Sequence, residues 1–266
     1  MGAKGNLFGR IGRHLPRGWG DLALQVALVF AGYVIYSVVR GLVDTPQTAI
    51  AAFENGRTLI SIQQDLGIFV EPSIQQAFGG TGLVADVASW IYLNAQISVT
   101  FAALVWIYFR RNRSFYFVRN TFMVAWLMAL VVYVVMPVAP PRFFPEFGFV
   151  DSVAAFTGVS ASTSNALFNP YAAVPSMHVA FSLMIGVPLV FLVRRRAVKA
   201  FWAVYPLLVT FVIIVTGNHF IADAILGAVA AGIAGAGATW LGRLRPEWSF
   251  RGAEAPEAAV PAQVQA

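Results

Sequence analysis

Residues 200–241 read AFWAVYPLLVTFVIIVTGNHFIADAILGAVAAGIAGAGATWL. Two apolar runs, 200–217 and 220–241, are separated by a tight turn at Asn218, and the stretch contains one carboxylate, Asp223, and no lysine or arginine. A helix that crosses a bilayer needs about 20 mostly apolar residues. The stretch therefore predicts two antiparallel membrane-spanning helices joined by a short turn.

The same pattern extends over the rest of the 266-residue chain, which is 58% hydrophobic and 11% charged. Soluble domains carry about 25% charged residues. Four further apolar segments, 21–40, 84–109, 117–139 and 177–193, have span-like composition. We therefore predict an all-α fold, a polytopic membrane helix bundle with six transmembrane helices. The fourth and fifth segments are short, so we expect the adjoining loops to dip into the protein.

Lysine and arginine are concentrated in loops that alternate along the chain. Cytoplasmic loops are enriched in these residues, so the alternation predicts an integral cell-membrane protein with both termini in the cytoplasm. The chain has a net charge of +6, and the loop positions of the basic residues favour contact with a membrane surface over a nucleic-acid partner. Three basic residues, Arg40, Arg57 and Arg142, fall on the opposite side. The two internal cytoplasmic groups are Arg110, Arg111, Arg113 and Arg119, and Arg194, Arg195, Arg196 and Lys199.

Two long loops are predicted outside, at 41–83 and 140–176. In the first loop, between Ala51 and Phe78, apolar residues recur at helical spacing among Gln, Glu and Arg. This pattern predicts interfacial helices that lie on the membrane. The last residues are rich in Ala, Pro, Glu and Gln, a composition typical of disorder. The predicted organisation is a basic cytoplasmic N-terminus at 1–20, a six-span membrane catalytic domain at 21–245 and a disordered cytoplasmic tail at 246–266.

Two histidines and one arginine are predicted to reach the outer face from three different segments. His178 begins the fourth span, His219 begins the sixth, and Arg142 follows the third. Polar groups in a bilayer are costly, about 2.5–3.5 kcal/mol for a charge at its centre. Their convergence at one depth predicts a functional site. The remaining histidine, His14, belongs to the basic cytoplasmic segment and is set aside.

The spacing of these residues favours chemistry on an anion. His219 and Asp223 are four residues apart, so they share a helix face if the helix has begun. A carboxylate bonded to one ring nitrogen leaves the other as a lone pair, as a nucleophile or base requires. Ser176 follows Pro175 and predicts a helix N-cap, whose free N–H groups favour an anion. Arg142 can hold two phosphate oxygens through its planar fork.

Simpler explanations stay open for each residue taken singly. His219 and Asp223 could be a buried structural pair, Arg142 a headgroup anchor, and Ser176 only a cap. His178, His219 and Asp223 could together bind zinc, although Arg142 would repel a cation. The chain has no cysteine, which excludes thiolate metal sites and cysteine nucleophiles. The site is predicted to need neither metal nor cofactor.

These residues resemble the motifs of the type 2 phosphatidic acid phosphatase superfamily, which are Lys-x6-Arg-Pro, Pro-Ser-Gly-His and Ser-Arg-x5-His-x3-Asp. Arg142 matches the first arginine, Pro175-Ser176-Met177-His178 the second block, and His219-x3-Asp223 the third. Three blocks, Pro-Pro-Arg ending at Arg142, Pro-Ser-Met-His and Thr-Gly-Asn-His, look more like the branch that includes inositol phosphorylceramide synthase.

The chain departs from the superfamily pattern at two cations. Val135 stands at the position of the family's lysine, and Ile213 at that of its second arginine. Two phosphate-binding charges are therefore missing. Arg57 and Asn169 are weaker candidates to replace them, together with Asn218.

The resemblance implies a metal-independent lipid phosphate phosphatase or phosphotransferase that works through a phosphohistidine at the extracytoplasmic face. Its partners would be a lipid phosphate substrate and membrane lipids. One alternative is an inositol-phosphate or other phospho-headgroup transferase to a lipid acceptor. Another is a non-enzymatic carrier or assembly protein, although a carrier should show more polar residues at mid-membrane. The implied roles are His219 as nucleophile, Asp223 as its orienter, His178 as general acid and then base, and Arg142, Ser176 and Asn218 as phosphate ligands.

Overall fold

The computed structural model describes residues 12, 15–42, 45–78, 82–159 and 169–246. These residues form nine α-helices and two short 3-10 helices, and they contain no β-sheet. The predicted all-α class is confirmed. His14 and the predicted tail beyond residue 246 lie outside the described residues. The helices are α1 Gly18–Leu42, α2 Pro46–Asp65, α3 Glu71–Phe78, α4 Leu83–Arg110, α5 Asn112–Val135, α6 Ser152–Thr157, α7 Met177–Leu192, α8 Arg196–Val215 and α9 Ile221–Leu244.

The bundle contains six apolar helices that match the six predicted segments. Five of them, α1, α4, α5, α8 and α9, are long and apolar enough to cross a membrane. The sixth, α7, has 16 residues and would span about 24 Å, less than the roughly 30 Å hydrocarbon core. The chain that precedes α7 is largely buried from Asn169 to Ser176. This loop dips into the protein, as the short fourth segment predicts.

The connection between α4 and α5 is shorter than predicted. Helix α5 begins at Asn112, so the prediction of a cytoplasmic loop containing Arg119 is wrong. Arg119 is 8% exposed and lies inside the bundle. Its guanidinium donates to Asn120 Oδ1 at 2.7 Å and to Gln25 Oε1 of α1. A charged side chain enters an apolar bundle when its donors are satisfied in this way.

Polar contacts attach α1 to the bundle. Most of α1 faces outward, and Gln25 and Tyr36 are its buried residues. Asp21 accepts hydrogen bonds from the hydroxyls of Tyr108 and Tyr116, each at 2.9 Å. Apolar surface gives little driving force for helix association in lipid, whereas hydrogen bonds between helices do contribute. The Asp21 cluster therefore holds the first span in place.

Helix α9 packs chiefly on α5 and α7. A Cβ on Gly227 would lie 2.4 Å from the backbone oxygen of Ser176, so this position requires glycine. A Cβ on Gly237 would lie 3.1 Å from a valine side chain of α5. From the sequence, Gly227, Gly232, Gly235 and Gly237 predict close helix packing, and the structure confirms this for Gly227 and Gly237. The prediction is wrong for Gly232 and Gly235, where no described atom lies within 4 Å of an added Cβ.

The first long loop forms α2 and α3, which confirms the predicted helices between Ala51 and Phe78. Both helices reach the start of α9. Glu71 Oε1 accepts a hydrogen bond from Ile221 N at 2.8 Å, and Gln63 Oε1 accepts one from Ala222 N at 3.0 Å. The first N–H groups of a helix have no partner within the helix. Side chains from the first loop thus cap the last span.

The cap makes stability depend on the protonation of Glu71. Burial raises the pKa of Glu71 above its ordinary value of 4.5, and the bond from Ile221 N opposes this shift. A carboxyl group with a raised folded-state pKa contributes most stability when protonated, and this contribution is lost as pH rises through the folded-state pKa. Thermal unfolding in detergent should therefore show a fall in stability above pH 4.5 that Glu71→Gln reduces.

The neutral amide of Glu71→Gln keeps an oxygen acceptor for Ile221 N without adding a buried charge. The matched control is Glu54→Gln, which neutralises an exposed acid of α2. It should leave the wild-type pH profile unchanged. A profile of Glu71→Gln that superimposes on that of Glu54→Gln would contradict the assignment.

Candidate active site

The segments that carry the predicted residues meet at one end of the bundle, which we call the site end. Helices α7 and α9 begin there, and α8 ends there at Val215. The ring centroids of His178 and His219 lie 5.5 Å apart, although 41 positions separate them in the sequence. The opposite end, which carries the arginines of the α4–α5 and α7–α8 connections, we call the basic end.

His219 and Asp223 are in contact. His219 Nδ1 lies 3.2 Å from Asp223 Oδ2, and the same oxygen accepts a hydrogen bond from Phe220 N at 2.9 Å. Helix α9 begins only at Ile221, so the pair does not share a helix face as the four-residue spacing suggests. Asp223 instead turns back over the first turn as a capping residue and meets the histidine that precedes the helix.

The pair is buried. His219 is 5% exposed and Asp223 is fully buried. Burial, followed by the positive charge of Arg142, lowers the pKa of His219 to about 3, while hydrogen bonding to the backbone of Ala173 opposes the shift. The imidazole is therefore neutral at physiological pH. A neutral imidazole keeps one nitrogen lone pair, which attack on phosphorus requires.

His178 occupies the first turn of α7 and is half-buried. Its ring stacks on Tyr92 of α4, with centroids 4.4 Å apart and an interplanar angle of 19°. Sequence reasoning missed Tyr92, because one tyrosine in an apolar span carries no distinguishing signal. The stack fixes the orientation of the second imidazole.

Arg142 lies in the loop after α5, and its side chain is 5% exposed. Its guanidinium donates to Asn218 Oδ1, and its Nε lies 3.6 Å from Asp151 Oδ2. Its backbone N–H donates to Gly217 O at 2.8 Å. An anchor at the headgroups would extend into solvent. Arg142 is instead buried against the turn that carries His219.

Ser176 is the N-cap of α7. Its side chain accepts from Val179 N at 3.5 Å, which confirms the predicted cap. Its backbone N–H donates to the backbone oxygen of Asp223 at 3.1 Å. Close packing against Gly227 completes the contact. Ser176 therefore joins the starts of α7 and α9, and its role as a phosphate ligand stays a prediction.

The two weaker candidates for missing cations are held in other contacts. Arg57 pairs with Glu146 at 3.5 Å, and both side chains are about half exposed. Asn169 Oδ1 accepts from Tyr171 N at 2.8 Å, within the loop that precedes α7. Neither contact involves the two histidines.

Arg40 in the last turn of α1 is a second cation at the site end. Its guanidinium carbon lies 5.6 Å from the centre of the Tyr36 ring. The Tyr36 hydroxyl lies 3.5 Å from that of Tyr133, which donates to Pro175 O at 3.4 Å. The charge of Arg40 also acts on the His178 ring. These contacts connect the end of α1 to the start of α7.

Sequence reasoning placed Arg40 on the outer side but gave it no role. The available signal was its position as one of three basic residues on the side where basic residues are rare.

Among the described residues, no three His, Asp or Glu side chains are grouped so that they could hold a metal ion. The site combines a neutral buried imidazole, a second imidazole and two arginines, which suits nucleophilic attack on an anionic group.

Comparisons with known proteins identify the family. Searches of curated proteins and of solved structures give no match to this chain. A family model described as the PAP2 superfamily matches residues 57–237. The match covers more than half of the chain and includes all six predicted site residues, while Arg40 precedes it. The resemblance to the inositol phosphorylceramide synthase branch stays a prediction, and the chain belongs to the PAP2 superfamily.

Proposed function

We propose that the protein is an integral membrane enzyme that transfers the phosphoryl group of a lipid phosphate ester through a covalent intermediate on His219. The observation that carries this proposal is the buried His219–Asp223 pair facing the His178 ring, beside Arg142. Membership of the PAP2 superfamily supports a phosphatase or phosphotransferase activity in general.

The first step forms the intermediate. The free nitrogen of His219 attacks phosphorus, an N–P bond forms, and the bond from phosphorus to the ester oxygen breaks. That oxygen keeps the bonding electrons and takes a proton from His178. Asp223 orients the nucleophile and stabilises the positive charge that develops on its ring. Arg142 stabilises the charge on the transferred phosphoryl oxygens, with Ser176 and Asn218 as further ligands.

The second step regenerates the enzyme. His178 is now neutral and takes a proton from an incoming hydroxyl, whose oxygen attacks phosphorus while the P–N bond breaks. Water as the acceptor gives inorganic phosphate, so the enzyme acts as a phosphatase. A lipid or polyol hydroxyl as the acceptor gives a transferase. Both reactions use the same residues and need no metal.

Arg40 supplies, in this proposal, one of the two cations that the family pattern lacks. Asp151 Oδ2 lies 3.6 Å from Arg142 Nε, so the carboxylate offsets part of the positive charge of Arg142. A second cation is therefore needed to balance a phosphate dianion. Arg40 lies close enough for its charge to act on His178 and Tyr92. It would hold the phosphate oxygens on the His178 side of the site.

The active site faces the extracytoplasmic side in this proposal, and both termini lie in the cytoplasm. Arginines from two separate connections, Arg110 and Arg111 and also Arg194 and Arg195, line one groove at the basic end. Basic residues accumulate in cytoplasmic loops. The site end, which lies across the bundle, would then face outward.

The phosphohistidine can be trapped directly. Purified protein is mixed with labelled lipid phosphates in buffer containing EDTA, quenched rapidly and examined for acid-labile, base-stable label. Wild-type protein should carry the label and turn over, and His219→Ala should do neither. Asp223→Asn should label at least about 10²-fold more slowly because the nucleophile loses its orientation. His178→Ala should still form the intermediate when the leaving group is good.

His14→Ala is the matched control, since it removes the third histidine of the chain, and it should keep wild-type turnover. If folded His219→Ala retained wild-type turnover, the proposed mechanism would be wrong and the structural-pair explanation would replace it. Loss of wild-type turnover in EDTA, restored by a divalent cation, would favour the zinc alternative.

Arg40→Gln should lower kcat/KM for a lipid phosphate by about 10²–10³-fold, since removal of one transition-state donor has an effect of this size. Arg40→Lys should recover part of the rate because it keeps the charge without the planar fork. The control is Arg57→Gln, which removes a cation from an exposed ion pair. If Arg40→Gln and Arg57→Gln changed kcat/KM equally, the proposed role of Arg40 in the site would be wrong.

The orientation can be tested with single cysteines, because the chain has no native cysteine. Glu146 is exposed near the site end, and Arg195 is exposed at the basic end. An impermeant thiol reagent on intact cells should label Glu146→Cys and spare Arg195→Cys until the membrane is opened. The reverse pattern would overturn the proposed topology.

A further inference from the structure

A groove of about 1180 Å³ opens at the basic end, between α4 and the α7–α8 hairpin. Binding pockets for drug-sized ligands typically have about 300–1,000 Å³, so the groove has room for a larger molecule. Its walls are mainly apolar, and its mouth is basic. The wall residues include Val99, Trp106, Leu189, Phe201 and Trp202, and the mouth is lined by Arg110, Arg111, Arg194 and Arg195.

The positive charge at the mouth has no acidic counterpart in the groove, because no Asp or Glu lines it. The start of α8 adds to this charge. Arg195 is its N-cap and makes no side-chain capping bond, and no acidic residue occupies the first turn. Helix N-termini favour negative groups and free N–H groups bind anions. Arginines at this position therefore strengthen a site for an anion, and no described acidic residue lines the groove to fill it.

We propose that the groove binds one anionic glycerophospholipid from the leaflet at the basic end. Its phosphate would lie among the four arginines, and an acyl chain would lie along the wall that contains Trp106 and Trp202. Basic pockets between transmembrane helices are typical binding sites for anionic headgroups. Tryptophan is also typical of the headgroup level of a membrane.

The groove is separate from the site of the proposed reaction. His178 lies in the first turn of α7, whereas Leu189 and Leu192, which line the groove, lie in its last turn. The two sites are therefore separated by the length of α7, about 24 Å. A two-fold dimer through this groove is disfavoured, because it would bring the arginines of both copies together. The lipid would instead hold α4 against the α7–α8 hairpin.

Retention of phosphatidylglycerol by the purified full-length protein tests this proposal. The protein is incubated with phosphatidylglycerol or phosphatidylcholine in detergent, and bound lipid is counted by native mass spectrometry. Wild-type protein should retain one phosphatidylglycerol in preference to phosphatidylcholine. Arg194→Gln/Arg195→Gln should bind it roughly 30-fold more weakly, as expected for the loss of two charges near an anionic lipid.

The control is Arg113→Gln/Arg243→Gln, which removes two exposed charges from the same end without touching the groove. It should retain the lipid as the wild type does. Ala102→Phe, which obstructs the apolar wall with a phenyl group and keeps all four arginines, should lose most of the bound lipid. Phosphatidylglycerol with brominated acyl chains should quench the fluorescence of the wild type, and less so that of Trp106→Phe.

Equal weakening by the groove and control pairs would overturn the proposal, since the lipid would then bind only through net charge. Retention by Ala102→Phe together with equal quenching in Trp106→Phe would also overturn it, because the acyl chain would lie elsewhere. None of these measurements depends on turnover, so they stand independently of the proposed reaction.

Discussion

The start of α9 is largely buried, and its first backbone N–H groups have no partners within the helix. Three side chains supply partners: Asp223 accepts from Phe220 N, Glu71 from Ile221 N and Gln63 from Ala222 N. The oxygen of Asp223 that caps the helix also faces His219 Nδ1. The cap of the helix start thus brings Asp223 against His219, and side chains from the helices of the first loop complete the cap.

The start of α7 is joined to the same place. Ser176 N donates to Asp223 O, and Gly227 allows the two backbones to approach closely because it has no Cβ. Two helix N-termini thus converge at the site end. Each contributes partial positive charge, and this favours an anion between them. A contact between backbones therefore brings the chain segments of His178 and His219 together.

Periodicity and charge predicted most of this fold. The apolar runs predicted the six helices because a bilayer demands continuous apolar length, and the Ser176 cap followed from local chemistry. The α4–α5 connection was predicted wrongly because Arg119 is satisfied by Gln25, a partner 94 residues away. The bond from Ile221 N to Glu71, 150 residues apart, is hidden from sequence for the same reason. Local spacing carries no information about such partners.

The same limit applies to the second cation. Comparison with the family motifs reveals only charges that lie at fixed distances from the histidines in the sequence. Arg40 lies in α1, which precedes the family match. Lipid competes with α1 for every apolar contact, so apolar packing alone cannot place this helix. Hydrogen bonds of Asp21 at one end and the Tyr36–Tyr133 contact at the other provide the placement. The polar residues of α1 therefore determine where Arg40, the proposed second cation, lies relative to the two histidines.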